Sequence, residues 1–128
     1  MLEQLKEFFK KDIFANSLGI DIIEAKDGYC TCSMKKREDL LNANGVIQGG
    51  ALYTLGDFCF AVGAASTGKK AVTSMLTMSY LRPATGDVIV AQATPVHLGK
   101  KLYNYDVQLL DGDKIVAKLN VQGFVLGE

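Results

Sequence analysis

One stretch of the sequence, from Leu40 to Gly68, carries a single charged side chain, that of Asp57. Within this stretch, residues 51–65 have the length and composition of a helix, and apolar side chains occupy almost its whole circumference. A helix that is apolar nearly all round is buried, so the rest of the chain has to enclose it. A buried carboxylate is costly unless it is paired, hydrogen-bonded or used in chemistry, so Asp57 is the first candidate functional residue.

The segments around this buried helix predict a single α+β domain over residues 1–128. Apolar residues at helical spacing predict one amphipathic helix from Leu2 to about Phe14, and Gly68 is expected to end the buried helix. Alternating or β-rich runs predict six strands, at residues 19–25, 29–35, 71–83, 87–99, 101–110 and 115–127. Because one buried helix stands among six strands, we expect an antiparallel sheet that curls around it. Pro95 inside a predicted strand indicates an edge or a bulge there.

The charge balance and the absence of long apolar runs exclude several classes of protein. Lys and Arg total 14, and so do Asp and Glu, which argues against a nucleic-acid binder that depends on a basic face. The charge-poor stretch is rich in glycine and includes polar residues, so it is a poor membrane span. The N-terminus mixes charges with apolar residues and does not resemble a signal peptide. We expect a cytoplasmic protein without nucleic-acid or membrane partners.

Cysteine and histidine content argues against a metal centre and against a serine hydrolase. Cys30, Cys32 and Cys59 are odd in number and lack C-x-x-C spacing, which fits neither a disulfide scaffold nor a zinc site. We expect all three to be small buried hydrophobic residues. The only histidine, His97, has no G-x-S-x-G motif to accompany it, and we expect it to be structural or on the surface. Neither a metal nor a cofactor is expected.

A set of short motifs, rather than any one of them, points to a family. In chain order these are Asn42, Gln48-Gly49-Gly50, Asp57, Leu81-Arg82-Pro83 and Gly99-Lys100. Together they resemble the hotdog-fold acyl-CoA thioesterases of the phenylacetate-degradation (PaaI) type, over about residues 18–124. The resemblance implies the hotdog fold, in which a curved antiparallel sheet wraps around one long central helix, here with a short N-terminal helix. It also implies hydrolysis of an acyl- or aryl-acyl-CoA thioester and no cofactor.

The resemblance assigns roles to four of these residues. Asp57 would be the general base or the nucleophile, and the Gly49 amide at the helix N-terminus would polarise the thioester carbonyl. Asn42 would orient the water, the carboxylate or the thioester, although ordinary turn chemistry also explains it. Gln48 stands where the family has a histidine, and a glutamine side chain cannot take up a proton. Any proton transfer assigned to that histidine is therefore absent here.

The remaining candidates have weaker support from the sequence. Thr73 or Ser74, in the strand after the helix, could hydrogen-bond the attacking water, but both also suit an ordinary strand. Gly50 would allow close approach of the substrate, or simply form a tight turn. The last group would hold coenzyme A phosphates by charge, with a solvated surface as the alternative for each residue: Arg82, Lys100 and Lys101.

Helix geometry adds an argument about assembly. Gly49 and Asp57 are eight residues apart, which places them about 12 Å apart along the helix axis. If both act on one carbonyl, Asp57 must serve the Gly49 of another subunit. Two antiparallel copies of the helix would form two such mixed sites about a two-fold axis. We therefore expect a homodimer, and the resemblance also implies that such dimers often pair into a dimer of dimers.

Two other functions are compatible with the same fold. A hotdog dehydratase or hydratase needs a histidine in its site, and His97 lies in a later strand, so this function is disfavoured. A non-catalytic acyl-CoA binder would use the same pocket, and Gln48 keeps this alternative open. The sequence does not identify the acyl group.

Overall fold

A six-stranded antiparallel sheet curves around one central helix in the computed structural model, which describes residues 1–127. Two short helices precede the sheet, and a 3-10 turn, Glu38–Leu40, lies in the loop before the central helix. The strand order across the sheet is β1-β2-β4-β5-β6-β3. The elements are α1 (Leu2–Phe9), α2 (Ile13–Ser17), β1 (Ile20–Lys26), β2 (Tyr29–Lys35), α3 (Gly49–Ala65), β3 (Ala71–Tyr80), β4 (Val88–Leu98), β5 (Leu102–Asp111) and β6 (Lys114–Val125). The predicted α+β hotdog architecture is confirmed.

The central helix α3 is buried, as its composition predicts. Most of its side chains are shielded from solvent, including Leu55, Phe60 and Val62, each 0% exposed. One stripe of the helix is open, with Tyr53 exposed and Asp57 half-buried. Full burial of such a side chain contributes about 1.5–3 kcal/mol to stability. The helix ends at Ala65 with Ser66 as its C-cap, and Gly68 follows at φ 96°, a conformation that favours glycine.

The N-terminal helix predicted from Leu2 to about Phe14 is two helices, so that prediction is wrong in its extent. Asp12 breaks the pattern because its side chain accepts a hydrogen bond of 3.1 Å from the Ala15 amide and caps α2. Its own backbone is not helical. An aspartate that bonds a nearby amide in this way favours a new helix start over continuation of the old helix.

The strands form where the sequence predicts them, and their ends differ from the predicted ones by at most three residues. In β5, the side chains of Tyr103, Tyr105, Val107 and Leu109 all face the core. The register of β4 against β5 shifts between Pro95 and His97, which confirms the bulge predicted there.

The strand β3 lies at one edge of the sheet and is paired only with β6. Most of its side chains are exposed on both faces, including Val72 at 50% and Met75 at 55%. The other strands bury one face against α3. An edge strand with exposed apolar side chains is a ready surface for pairing with another chain. None of the helices within residues 1–127 has the length and apolar character needed to cross a membrane.

Candidate active site

Asp57 is held by a hydrogen bond from the neighbouring strand. It lies half-buried in the third turn of α3, and the Thr73 hydroxyl donates to its Oδ1 at 2.6 Å. The register of β3 against β6 shifts between Thr73 and Met75, so that Ser74 is the extra residue of a bulge. Bulges redirect the side chains beside them. Of the two hydroxyls that the sequence offered, Thr73 reaches Asp57, whereas Ser74 Oγ donates to the carbonyl of Gln122 at 3.2 Å.

The pKa of Asp57 is raised above that of an ordinary aspartate. Burial is the largest cause, because it disfavours the charged carboxylate. The hydrogen bond from Thr73 opposes this effect and lowers the pKa, while the negative charge of Asp12 raises it further. The sequence analysis did not single out Asp12, since only the folded chain brings the cap of α2 towards the central helix. A carboxyl group with a perturbed pKa beside an open edge strand is a candidate acid-base group.

Gln48 caps the central helix. Its Oε1 accepts hydrogen bonds from the amides of Gly50 at 2.6 Å and Ala51 at 3.2 Å. A Cβ atom at position 50 would lie 2.7 Å from that oxygen, so a larger residue there would displace the Gln48 side chain from its present capping position. The Gly49 amide forms no hydrogen bond among those found within the described chain, which leaves one N–H of the helix N-terminus for a ligand.

Tyr80 closes the other side of the helix N-terminus. Its hydroxyl donates to the carbonyl oxygen of Gly49 at 2.9 Å. A Cβ atom at position 49 would lie 3.2 Å from the Tyr80 ring. Tyr80 is the last residue of β3, so this strand contacts the helix start at one end and Asp57, through Thr73, near the other. The sequence gives no signal for this contact, because Tyr80 and Gly49 are 31 residues apart and meet only in the folded chain.

The side chain of Asn42 forms hydrogen bonds within its own loop. Its Oδ1 accepts from the amides of Asn44 at 2.8 Å and Val46 at 3.3 Å. The end of this loop is fixed to the helix start, since the Gln48 amide donates to the carbonyl of Leu40 at 2.8 Å. The side-chain oxygen of Asn42 therefore performs turn chemistry, and only its amide nitrogen is left to contact a substrate.

The three basic candidates are exposed and lie at two different ends of β3. Arg82 follows Tyr80, beside the helix N-terminus. Lys100 and Lys101 form the turn before β5, and the Lys101 carbonyl accepts from Val125, whose strand partner is Ala71 at the start of β3. A ten-residue strand spans about 30 Å. Within one chain, the basic side chains therefore do not converge on one phosphate group. His97, expected to be structural or on the surface, is exposed.

The part of the chain that forms the central helix and most of the sheet matches a known family model. The family model described as "Thioesterase superfamily" matches residues 44–118. This chain belongs to the thioesterase superfamily. The expected PaaI-type resemblance is confirmed.

Similar proteins and structures cover nearly the whole chain. "Acyl-coenzyme A thioesterase PaaI" of Escherichia coli K12 is 36% identical over 127 residues, which span 94% of this chain and 91% of the relative. The solved structure of the E. coli PaaI protein aligns at a TM-score of 0.92 over 98% of this chain and 93% of that chain, at 30% identity. A hypothetical thioesterase of Streptococcus pneumoniae TIGR4, solved with coenzyme A, aligns at a TM-score of 0.86 and 27% identity, over 94% of this chain and 98% of that chain.

Proposed function

We propose that this protein hydrolyses acyl- or aryl-acyl-coenzyme A thioesters to the free acid and coenzyme A. The observation that carries the proposal is the setting of Asp57. This half-buried residue lies on the central helix of a thioesterase fold, its pKa is raised, and it accepts a hydrogen bond from Thr73 of β3. Two comparisons support this choice of substrate. The E. coli relative is named an acyl-coenzyme A thioesterase, and the S. pneumoniae structure was solved with coenzyme A. The predicted cytoplasmic location is part of the same proposal and agrees with three free cysteines.

In the proposed reaction, Asp57 activates a water molecule or attacks the thioester itself. As a general base, it accepts one proton of the water while the water oxygen attacks the carbonyl carbon. As a nucleophile, it forms an anhydride that water then cleaves. In either route, the Gly49 amide and the helix dipole stabilise the negative charge on the carbonyl oxygen, and the C–S bond breaks to release the coenzyme A thiolate.

We propose further that each site is shared between two subunits of a homodimer. Gly49 and Asp57 lie eight residues apart on the same helix, so they point to positions about 12 Å apart. The free edge of β3 offers the surface for pairing. If two β3 strands pair antiparallel, the Tyr80 end of one strand comes close to the Thr73 end of the other. The first end lies near Gly49 and Arg82, and the second lies near Asp57 and Lys101. This arrangement also supports the proposal that basic side chains from both chains bind the coenzyme A phosphates.

A second candidate is a non-catalytic acyl-CoA binder with the same pocket. The specific observation in its favour is Gln48, whose amide side chain caps the helix and cannot transfer protons. Retention of Asp57 on the buried helix favours catalysis, because a binder gains nothing from burying a carboxylate.

The decisive experiment measures thiol release from short, medium, long-chain and aryl acyl-CoAs, with wild type beside Asp57→Asn. Asparagine keeps the shape of the side chain and an oxygen that accepts from Thr73, but it removes the base. We expect at least about a 100-fold loss of kcat on the best substrate. The melting temperature should be equal or higher, because burial disfavours the aspartate charge. Asp87→Asn, at an exposed position, is the matched control and should retain the wild-type rate.

The possible outcomes separate the two functions. Full activity in Asp57→Asn would contradict the proposed role of this carboxylate. A wild-type protein that binds acyl-CoA but hydrolyses no member of the panel would instead establish the binder.

A further inference from the structure

The fold gathers every cysteine of the chain into one place in the core. Cys30 and Cys32 lie on the inner face of β2, and Cys59 faces them from α3. Their exposed fractions are 4%, 0% and 0%, respectively. The Sγ atoms of Cys30 and Cys32 are 3.6 Å apart, and all three Sγ atoms lie within 4.8 Å of one another. All three are free thiols.

The separation between Cys30 and Cys32 is close to that of two sulfur ligands around a single metal ion, and Cys59 lies near enough to supply a third ligand. Zinc binds thiolate sulfur at about 2.3 Å, so two sulfurs of a tetrahedral site lie about 3.8 Å apart and two of a trigonal site about 4.0 Å apart. A cation placed among the three sulfurs therefore needs side-chain adjustments rather than a rearrangement of α3 against β2. Sequence spacing could not predict this site, since Cys59 follows Cys32 after 26 intervening residues.

The donor set selects the class of cation. Three sulfur atoms without a carboxylate or imidazole among them favour soft, thiophilic ions over magnesium, calcium or manganese. The Cys30 and Cys32 thiols already contact each other at 3.6 Å, and either of them can be the hydrogen-bond donor. The Cys59 thiol also donates to the carbonyl oxygens of Cys30 at 3.4 Å and Ala91 at 3.6 Å.

We propose that Cys30, Cys32 and Cys59 form a buried site for one soft divalent cation, of the class of Zn²⁺ or Cd²⁺, which fastens the central helix to the sheet. Cys30, Cys32 and Cys59 each release a proton to solvent when the ion binds, because cysteine coordinates such ions as the thiolate. Because Cys59 lies two residues after Asp57, an ion bound there restrains the helix that carries the candidate active site.

The test uses the full-length protein, reduced, freed of metal and refolded with Cd²⁺ alone. Refolding gives the ion access to thiols that the native core shields. We expect one Cd²⁺ to remain per chain after gel filtration, with an ultraviolet sulfur-to-cadmium charge-transfer band and a higher melting temperature. In Cys59→Ser, serine has nearly the volume of cysteine but no sulfur, so this variant should lose all three effects. Val62→Ala loosens the core one turn further along α3 without touching a thiol, and it should retain them.

Two results would overturn the proposal. One is a folded wild type without the charge-transfer band, and the other is a band of equal strength in Cys59→Ser. If Cys59→Ser does not fold, the rate at which iodoacetamide modifies the thiols of wild type in urea just below its unfolding midpoint, where the core opens transiently, decides instead. Cd²⁺ should slow this modification at least about tenfold, because a bound thiolate is not free to react. An unchanged rate would mean that the three thiols are only core residues.

Discussion

The hydrogen bond from Thr73 favours the ionised form of Asp57, and it acts against burial, which favours the neutral form. Removal of the donor in Thr73→Val should therefore raise the pKa of Asp57. Since the carboxylate must be ionised to act, the acid limb of the kcat/KM profile should move to higher pH. A net hydrogen bond of about 0.5–1.5 kcal/mol corresponds to a shift of about 0.4–1 pH units. Thr73→Ser keeps the donor and should keep the wild-type profile, and a shift to lower pH in Thr73→Val would contradict this assignment.

Gln48 performs a structural task that does not require a proton. Because its Oε1 accepts from two amides of α3, Gln48→Ala should destabilise the fold by about 1 kcal/mol, the usual cost of a lost cap. Gln48→Glu keeps the accepting oxygen and adds a negative charge that the helix N-terminus stabilises, so its stability should equal or exceed that of wild type. The same charge lies beside the Gly49 amide and should repel a developing oxyanion, lowering kcat/KM about tenfold. Urea unfolding and steady-state kinetics measure the two effects separately, and a less stable Gln48→Glu would contradict the cap.

The candidate site was predictable from the sequence only in part. Asp57 stood out because a lone charge on a buried helix needs a reason, and the family resemblance placed Gly49 at the helix N-terminus. The contacts of Thr73, Tyr80 and Asp12 were not predictable, since each depends on how β3 and α2 dock on the helix. Local spacing carries no information about such docking.

At the scale of the elements, α3 needs a residue without a side chain where it packs against the turn between β1 and β2. A Cβ atom at Gly63 would lie 2.8 Å from the backbone oxygen of Gly28, whereas one at Gly56 would meet only the end of the Leu119 side chain, at 2.6 Å. Alanine in a helix is ordinarily favoured over glycine by about 0.5–1 kcal/mol. Gly63→Ala should nevertheless be destabilising, by about 1–3 kcal/mol, because a backbone turn cannot move aside as a side chain can. Gly56→Ala is the matched comparison and should cost less, and equal urea midpoints for the two variants would contradict this explanation.

The helices and strands were largely predictable, because burial of one face makes apolar residues recur about every 3.6 residues in a helix and every second residue in a strand. Central helix α3 ends at Ala65 as expected, and the alternation in β5 identifies its buried face. The prediction of one helix from Leu2 to about Phe14 was wrong for a local reason, since the Asp12 side chain caps a second helix instead of continuing the first. The bulge beside Thr73 left no mark in its own strand, because Ala71–Tyr80 contains no glycine or proline, and Gly123, the partner of Thr73, lies on β6.

At the scale of the whole molecule, the proposed sharing of sites can be tested with two inactive variants. Gly49→Pro removes the amide proposed to bind the oxyanion. Proline is tolerated at the first position of a helix, and Gln48 before it already has the extended backbone, φ −63° and ψ 136°, that proline requires. Gly49→Ala adds a similar Cβ atom near Tyr80 but keeps the N–H, so it controls for crowding. We expect Gly49→Pro to lose most of its activity and Gly49→Ala to retain more.

Mixing Gly49→Pro with Asp57→Asn then distinguishes a shared site from a site within one chain. If each site takes Gly49 from one subunit and Asp57 from the other, a mixed dimer has one intact site and one site that lacks both groups. Random pairing makes half of the dimers mixed, so activity should return to about a quarter of the wild-type level. A site within one chain gives no recovery at any mixing ratio, because no chain in the mixture carries both groups. Co-expression with two different tags, followed by purification on both, isolates the mixed dimer and should raise the recovered activity to about half.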